Sequence, residues 1–207
     1  MCNVARDVGG RMRIFGVILA GGSARRMGGQ DKAMVILGDQ SLLAHVKGRF
    51  APQVEQLAIS ANGDAARFGA GLAVLPDETS QGPLSGILAA LDWAAPLGAT
   101  AVVSVAVDTP FLPGDLVPRL CLAAEGSAGG VALAASGGVD HPTASLWPVD
   151  LRGDLRRFLA SGVKPRVMDF ARKHGAVRAY FADDGAFANL NAPEDVVAAE
   201  AMMQGMT

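Results

Sequence analysis

Residues 14–32 read Ile-Phe-Gly-Val-Ile-Leu-Ala-Gly-Gly-Ser-Ala-Arg-Arg-Met-Gly-Gly-Gln-Asp-Lys. The apolar run Ile14–Leu19 has the length and β-rich content of a buried strand, extending to Ala20. It empties into a glycine-rich, doubly basic loop, which is how α/β proteins hold phosphates. Gly21 and Gly22 allow a tight turn that brings bare backbone N–H groups against an anion. Arg25, Arg26 and Lys32 add positive charge at the same place. Two common nucleotide fingerprints do not fit. A Walker loop requires Gly-Lys-Ser/Thr, whereas Gly28-Gly29 runs into Gln30-Asp31-Lys32-Ala33. A dinucleotide loop requires G-x-G-x-x-G, and Gly21-Gly22 has the wrong spacing. The plainer alternative is a flexible loop with solvated arginines.

Outward from this loop, apolar runs alternate with helical patterns. This predicts an α/β fold: three layers, with a mostly parallel, Rossmann-like sheet covered by helices on both faces. Strands are expected over Ile14–Ala20, Gln56–Ala61, Ala73–Leu75, Ala101–Val107, Gly130–Ala135, Ala144–Trp147 and Val177–Phe181, with Ala101–Val107 at the sheet centre. Helices are expected over Leu42 to about Phe50, capped by Ser41. Others follow over Leu84–Ala95 (stopped by Pro96), Gly114–Glu125, Asp150–Ala160 and Arg166–Lys173, and a last one begins at Ala192-Pro193-Glu194-Asp195. Ligands of such sheets bind beyond the carboxyl ends of the strands. That rule selects loops 20–33, 60–63, 76–86, 108–113, 137–143 and 187–191.

With 207 residues, half of them hydrophobic, the chain suits one substantial core. Residues 13–207 are read as a single domain and residues 1–12 as a disordered extension; Met12 is an alternative start to Met1. A net charge of -2 gives no global field toward nucleic acid or a membrane surface. No apolar run approaches the ~20 residues of a membrane span, and the first residues lack the apolar core of a signal peptide. Cys2 and Cys121 suggest neither a disulfide framework nor a zinc site. A reducing, cytoplasmic setting is expected.

Several polar motifs fall in the selected loops. Asp108-Thr109-Pro110 closes the central strand; a carboxylate there can hold magnesium bridging nucleotide phosphates, or can simply cap a turn. Asn189 and Asn191, at i and i+2, share one face of an extended segment. They can bond phosphate oxygens or complete a metal shell, unless Asn191 caps the last helix. Gly82-Pro83-Leu84-Ser85-Gly86 opens a helix whose N-terminus offers free N–H groups to an anion; a simple tight turn is the alternative. Asp77 is a candidate for reading a base, since a carboxylate accepts from both guanine N1–H and its 2-amino group. His141, in Asp140-His141-Pro142, is either a general base or an orienting, stacking residue.

Leu-Ala-Gly-Gly with Arg-Arg-Met-Gly-Gly-x-Asp-Lys resembles the signature loop of the molybdenum cofactor guanylyltransferases. Asp108-Thr109-Pro110, Gly82-Pro83-Leu84-Ser85-Gly86, Asp140-His141-Pro142 and Asn189-Leu190-Asn191 are similar to further motifs of that family. The resemblance implies transfer of GMP from GTP to molybdopterin bearing molybdenum, with release of pyrophosphate and a need for Mg2+. It implies that Lys32, Arg25 and Asp108 are catalytic, and that Asp108 and Asn191 hold the metal. Leu19, Ala20, Gly21, Gly22, Lys32, Ser60, Asn62, Asp77 and Asp108 would contact the nucleotide. Arg26, Gly82, Gly86, His141, Asn189 and Asn191 would contact the acceptor. Ser60 stands where the family commonly has asparagine, with Asn62 a candidate to compensate. Ala192 replaces the family's capping threonine. Partners implied are GTP, molybdopterin, a molybdopterin-delivery protein and molybdoenzyme chaperones, with no nucleic acid or membrane. The alternatives are a related enzyme using CTP or a sugar-phosphate acceptor, and a non-catalytic nucleotide or cofactor carrier.

Overall fold

A computed structural model describes residues 12–21, 31–69, 71–77, 81–162 and 164–205. Gly22, Arg25 and Arg26 of the basic loop, and residues 1–11 of the expected extension, lie outside the described residues.

The main sheet begins with β1 (Ile14–Leu19), followed by α1 (Leu42–Phe50), β4 (Gln56–Ser60) and β5 (Ala73–Leu75). A two-stranded hairpin, β2 (Ile36–Leu37) and β3 (Gln40–Ser41), precedes α1; the sequence reading had not separated it. Next come α2 (Pro83–Ala94), β6 (Ala101–Ala106), α3 (Leu116–Ala124), β7 (Ala132–Ser136) and β8 (Val139–Pro148). The chain continues through α4 (Arg152–Leu159), α5 (Val167–Lys173), β9 (Val177–Phe181) and α6 (Pro193–Gly205). The strands order β5-β4-β1-β6-β8-β7-β9, with β6 in the middle as expected. Every pairing is parallel except the two made by β8.

The central strands are continuously apolar because both faces are buried. Ile14, Ile18, Val103 and Val105 face α1 and α3, against Leu43, Val46, Phe50, Leu116 and Leu120. Phe15, Val17 and Val102 face α2, α4 and α5, against Leu84, Ile87, Leu91, Leu155 and Phe170. Gly16 is small for a reason: a Cβ there would stand 2.8 Å from the Phe50 ring. The polar Ser104, fully buried in β6, is satisfied by the carbonyl of Thr143 at 2.8 Å and by the Trp147 indole N–H at 3.2 Å. α6 lies outside the three layers, on β2, through Val35, Leu37, Leu42, Leu190 and Ala199. No helix among the described residues is long and apolar enough to cross a membrane.

The segment 137–143, expected as a loop, is mostly strand. Gly137 and Gly138, at φ 53° and 78°, make a two-residue turn of the type both positive angles favour. Pairing resumes with Ser136 opposite Val139. The register then shifts, so that Ala134 faces His141 while Leu133 faces Ser145. Pro142 sits in the resulting bulge, where a residue without an N–H is tolerated. That proline and the glycine pair gave the stretch its loop-like composition. Pro96 does not end α2 outright either; a 3-10 turn, Ala95–Leu97, carries it to Gly98 in a left-handed conformation.

Candidate active site

From β1 the chain runs outward to β4 and β5, then returns to lay β6 on the other side of β1. The crevice at this reversal of strand order is where open α/β sheets bind ligands. Its described walls are the turn that carries Lys32 and the segment leaving β6.

Asp31 caps the short 3-10 turn Lys32–Met34, accepting from the Ala33 N–H at 3.0 Å. That turn delivers Lys32 into the crevice. On the other wall Thr109 folds back on the Ala106 carbonyl, its N–H at 3.3 Å and its hydroxyl at 2.7 Å, so the chain turns sharply around Asp108. The Lys32 ammonium donates to Asp108 Oδ2 and to Asn191 Oδ1, each at 2.6 Å. The lysine and aspartate side chains are only 13% and 19% exposed, so water screens the pair weakly. Asn191 reaches the lysine because its segment is sewn to the β6 loop: the Leu190 N–H donates to the Asp108 carbonyl at 2.9 Å.

Asn191 is not needed as a side-chain cap. Asp195 accepts from the N–H groups of Asn191 and Ala192 at 2.7 and 2.9 Å. This is the reciprocal arm of a capping box, and it compensates for the alanine at the cap position. Asn191 is thereby released to the crevice. Asp195 carried a readable signal, an acid three residues into the helix.

A second cluster lies where β4 and β5 end. Asn62 donates to Asp77 Oδ1 at 3.1 Å and accepts from the Asp77 N–H at 2.9 Å. Gly21 faces this pair; a Cβ built there would stand 3.8 Å from Asp77 Oδ2. Leu19 and Ala20 lead into it, with the Ala20 N–H on the Ser60 carbonyl at 2.9 Å. Ser60 itself is 3% exposed, and its hydroxyl lies against Gly86, 2.5 Å from where a Cβ of that residue would be. Close packing of α2 on the sheet therefore accounts for Gly86 and for the small Ser60 without any ligand. Gly82, by contrast, is exposed; it precedes α2 at φ 82° and has open space around it. Asn189 is exposed beside the crevice segment.

His141 is a stacking residue in this structure. Its ring lies on Phe187 at a centroid distance of 4.4 Å, nearly parallel, and its Nε2 is 2.9 Å from the Ser136 hydroxyl. Burial pushes its pKa down, against the pull of neighbouring Asp140. Asp140 is engaged in turn: both carboxylate oxygens accept from Arg178, and that hydrogen bonding holds its pKa low. The His141–Phe187 stack supports the segment that leads to Asn189 and Asn191.

A family profile described as MobA-like NTP transferase domain matches residues 16–177, which span the strand, the basic loop and Asp108. The chain belongs to this family. A MobA-like relative from Cereibacter sphaeroides, named molybdenum cofactor guanylyltransferase, is 59% identical over 93% of this chain and 98% of its own length. A second of the same name, from Mesorhizobium japonicum, is 48% identical over 95% and 99%. The crystal structure of molybdopterin-guanine dinucleotide biosynthesis protein A from Archaeoglobus fulgidus shares the MobA-like fold, with a TM-score of 0.74 at 21% identity over 93% of this chain and all of that one.

The donor set of this MobA-like site suits a hard divalent cation. Asp108 Oδ1 is buried with no hydrogen-bond partner among the described residues, an orphan that a cation would satisfy. The Asn191 amide oxygen is a second hard donor in the same clasp. No cluster of three acidic, histidine or cysteine side chains surrounds them among the described residues. A site with one carboxylate matches magnesium, which commonly takes its remaining ligands from substrate phosphates and water. Arg67, in contact with Asp31 and the Asn62 carbonyl, is a neighbour of the site that no sequence motif marks, since an arginine in an Ala/Gly-rich turn carries none.

Proposed function

We propose that the protein transfers GMP from GTP to the terminal phosphate of molybdopterin bearing molybdenum, giving a guanine dinucleotide cofactor and pyrophosphate. The observation that carries the reading is the Lys32–Asp108–Asn191 clasp at the strand-order reversal, in a chain whose near-full-length relatives are guanylyltransferases by name. An oxygen of the acceptor phosphate attacks the α-phosphorus of GTP in line. The bond from that phosphorus to the bridging oxygen breaks, and its electron pair leaves with pyrophosphate. No strong base is required: the second pKa of a phosphate monoester is about 6, so at neutral pH the nucleophile is largely a dianion. This agrees with a stacked, neutral His141.

Catalysis then rests on positioning and charge neutralisation. Lys32 and Arg25 stabilise charge developing on the phosphates. Asp108, with Asn191, would hold Mg2+, which when bound would supply Lewis-acid neutralisation of phosphate oxygens. Because the ammonium spans both donors, Lys32 must yield part of the clasp to the phosphates as nucleotide enters. Asp77, held by Asn62, accepts from guanine N1–H and the 2-amino group. Leu19, Ala20, Gly21 and Gly22 offer backbone groups to the nucleotide. Arg26, by family resemblance, and Gly82 at the α2 N-terminus, Asn189 and Asn191 bind the acceptor. The acceptor reaches the enzyme from a delivery protein and leaves with molybdoenzyme chaperones, in the cytoplasm.

The test is pyrophosphate release with molybdopterin and molybdate, at graded magnesium, with GTP, CTP, ATP and UTP in parallel. Release with GTP alone is expected. Preference for CTP moves the enzyme to cytidylyl transfer, and no release with any nucleotide favours a carrier or a different acceptor.

A further inference from the structure

Nothing in the reaction so far uses Arg67, yet it bridges the two halves of the site. Its Nε lies 2.6 Å from Asp31 Oδ2, and its terminal NH2 donates to the Asn62 carbonyl at 2.8 Å. Each partner has a second task. Asp31 caps the turn that carries Lys32. Asn62 holds Asp77 through a two-way side-chain and backbone exchange. The guanidinium occupies the space above Gly63, which at φ 89° brings the backbone beneath it; a Cβ on Gly63 would stand 2.9 Å from its NH1. It also lies over the Phe68 ring, 4.4 Å from the centroid. The Arg67 and Asp31 side chains are 30% and 25% exposed, sheltered enough to hold a fixed geometry.

From this geometry we propose that Arg67 is a positioning residue, a strap that fixes the Lys32 turn relative to the Asn62–Asp77 pair. Contact with the phosphates and recognition of the base are thereby set by one rigid unit. The planar fork suits the task, because two acceptors in different directions are met by one preorganised group; a lysine ammonium on a flexible stem does not reproduce that. The inference rests on the nucleotidyl-transfer reading for the roles of Lys32 and Asp77, though not on which base is used.

The test is a double-mutant cycle on the full chain with Arg67→Gln and Asp31→Asn, followed by kcat and KM for whichever of GTP and CTP the wild type turns over. Asp31→Asn is informative because asparagine still caps the Lys32 turn while losing the charge on Arg67. Each single variant is expected to lose roughly 10–100-fold in kcat/KM, the scale of an ångström-sized misplacement. The losses should be split between a raised KM and a lowered kcat, and the double variant should lose no more than the worse single one. Arg67→Lys should recover a minor part. Thermal midpoints measured alongside separate this from a stability effect, which would lower the midpoint and leave kcat and KM of the folded enzyme unchanged. Additive losses, or wild-type kinetics in Arg67→Gln, overturn the strap. A wild type that prefers CTP overturns the guanylyl reading and leaves this cycle intact. A wild type that turns over none of the four nucleotides refutes both.

Discussion

Replacing Asp108 by asparagine separates the structural work of the clasp from its chemical work. The side chain keeps its shape, so Lys32 still finds an oxygen near 2.6 Å and a second one on Asn191. What is lost is charge. A hydrogen bond to an ionised partner contributes ~1.5–3 kcal/mol, against ~0.5–1.5 for a neutral one. The expected net loss is therefore about 1 kcal/mol, and the low exposure of the pair argues against a smaller value. For a chain of this size that is a fall of roughly 2–4 °C in thermal midpoint. The chemical cost is far larger. Removing one preorganised electrostatic group from a transition state costs about 10²–10³ in kcat. If Asp108 is the magnesium ligand proposed above, the ion would lose its carboxylate as well, and half-saturating magnesium should rise on the order of 10–100-fold or more. Differential scanning fluorimetry and pyrophosphate release across a magnesium series measure both quantities on one preparation. A variant within about threefold of wild-type kcat/KM at every magnesium concentration refutes the assignment of Asp108 to the reacting phosphates. A midpoint that collapses instead shows the pair to be mainly a structural staple.

Three further outcomes are expected. Gly21→Ala should fold normally, because its Cβ meets Asp77 Oδ2 at an ordinary 3.8 Å, yet narrow the space before the carboxylate proposed to read the base; parallel kinetics with the four nucleotides should show reduced purine use, and unchanged selectivity would count against that pocket. Gly86→Ala should cost about 1–3 kcal/mol by overpacking, since its Cβ would stand 2.5 Å from the Ser60 hydroxyl and 2.8 Å from Leu19; denaturant unfolding reads this, and a neutral variant would show that α2 shifts freely. Burial lowers the folded-state pKa of both His141 and His174 below 6.5, so on acidification the unfolded chain takes up protons first. Stability present above about pH 6.5 is then lost as pH falls through the folded-state values, and midpoints of His141→Gln and His174→Gln between pH 8 and 5 should show a shallower decline than wild type.

Much of this architecture was readable from residue patterns. The doubly buried strands β1 and β6 announced themselves as uninterrupted apolar runs, and Ser41 marked the start of α1; its hydroxyl accepts from the Ala44 N–H at 3.2 Å. The loops chosen by the strand-end rule include those that carry Lys32, Asp77, Asp108 and Asn191. Where the reading stopped short, the cause was non-local. β8 carries a bulge, set by its register with β7, that accommodates Pro142, and a proline inside the run reads locally as a loop. The close packing of Ser60 and Gly86 on each other across the α2–sheet interface joins residues that no local pattern pairs. The partners of Lys32 lie 76 and 159 residues away, and Arg67 meets Asp31 across 36 residues of chain, so neither constellation leaves a spacing to detect.

The clasp also imposes an order of events on the making of the protein. Lys32 and Asp108 can meet once β1, β4, β5 and β6 have been synthesised, because those four strands lie side by side in the order β5-β4-β1-β6, every pairing parallel. Asn191 follows ~80 residues later, roughly 4–16 s at ordinary elongation rates. In that interval a nascent chain has a lysine and an aspartate able to pair, but not yet the third member of the clasp. The clasp is therefore complete only after the 189–191 segment has been made and docks on the Asp108 loop.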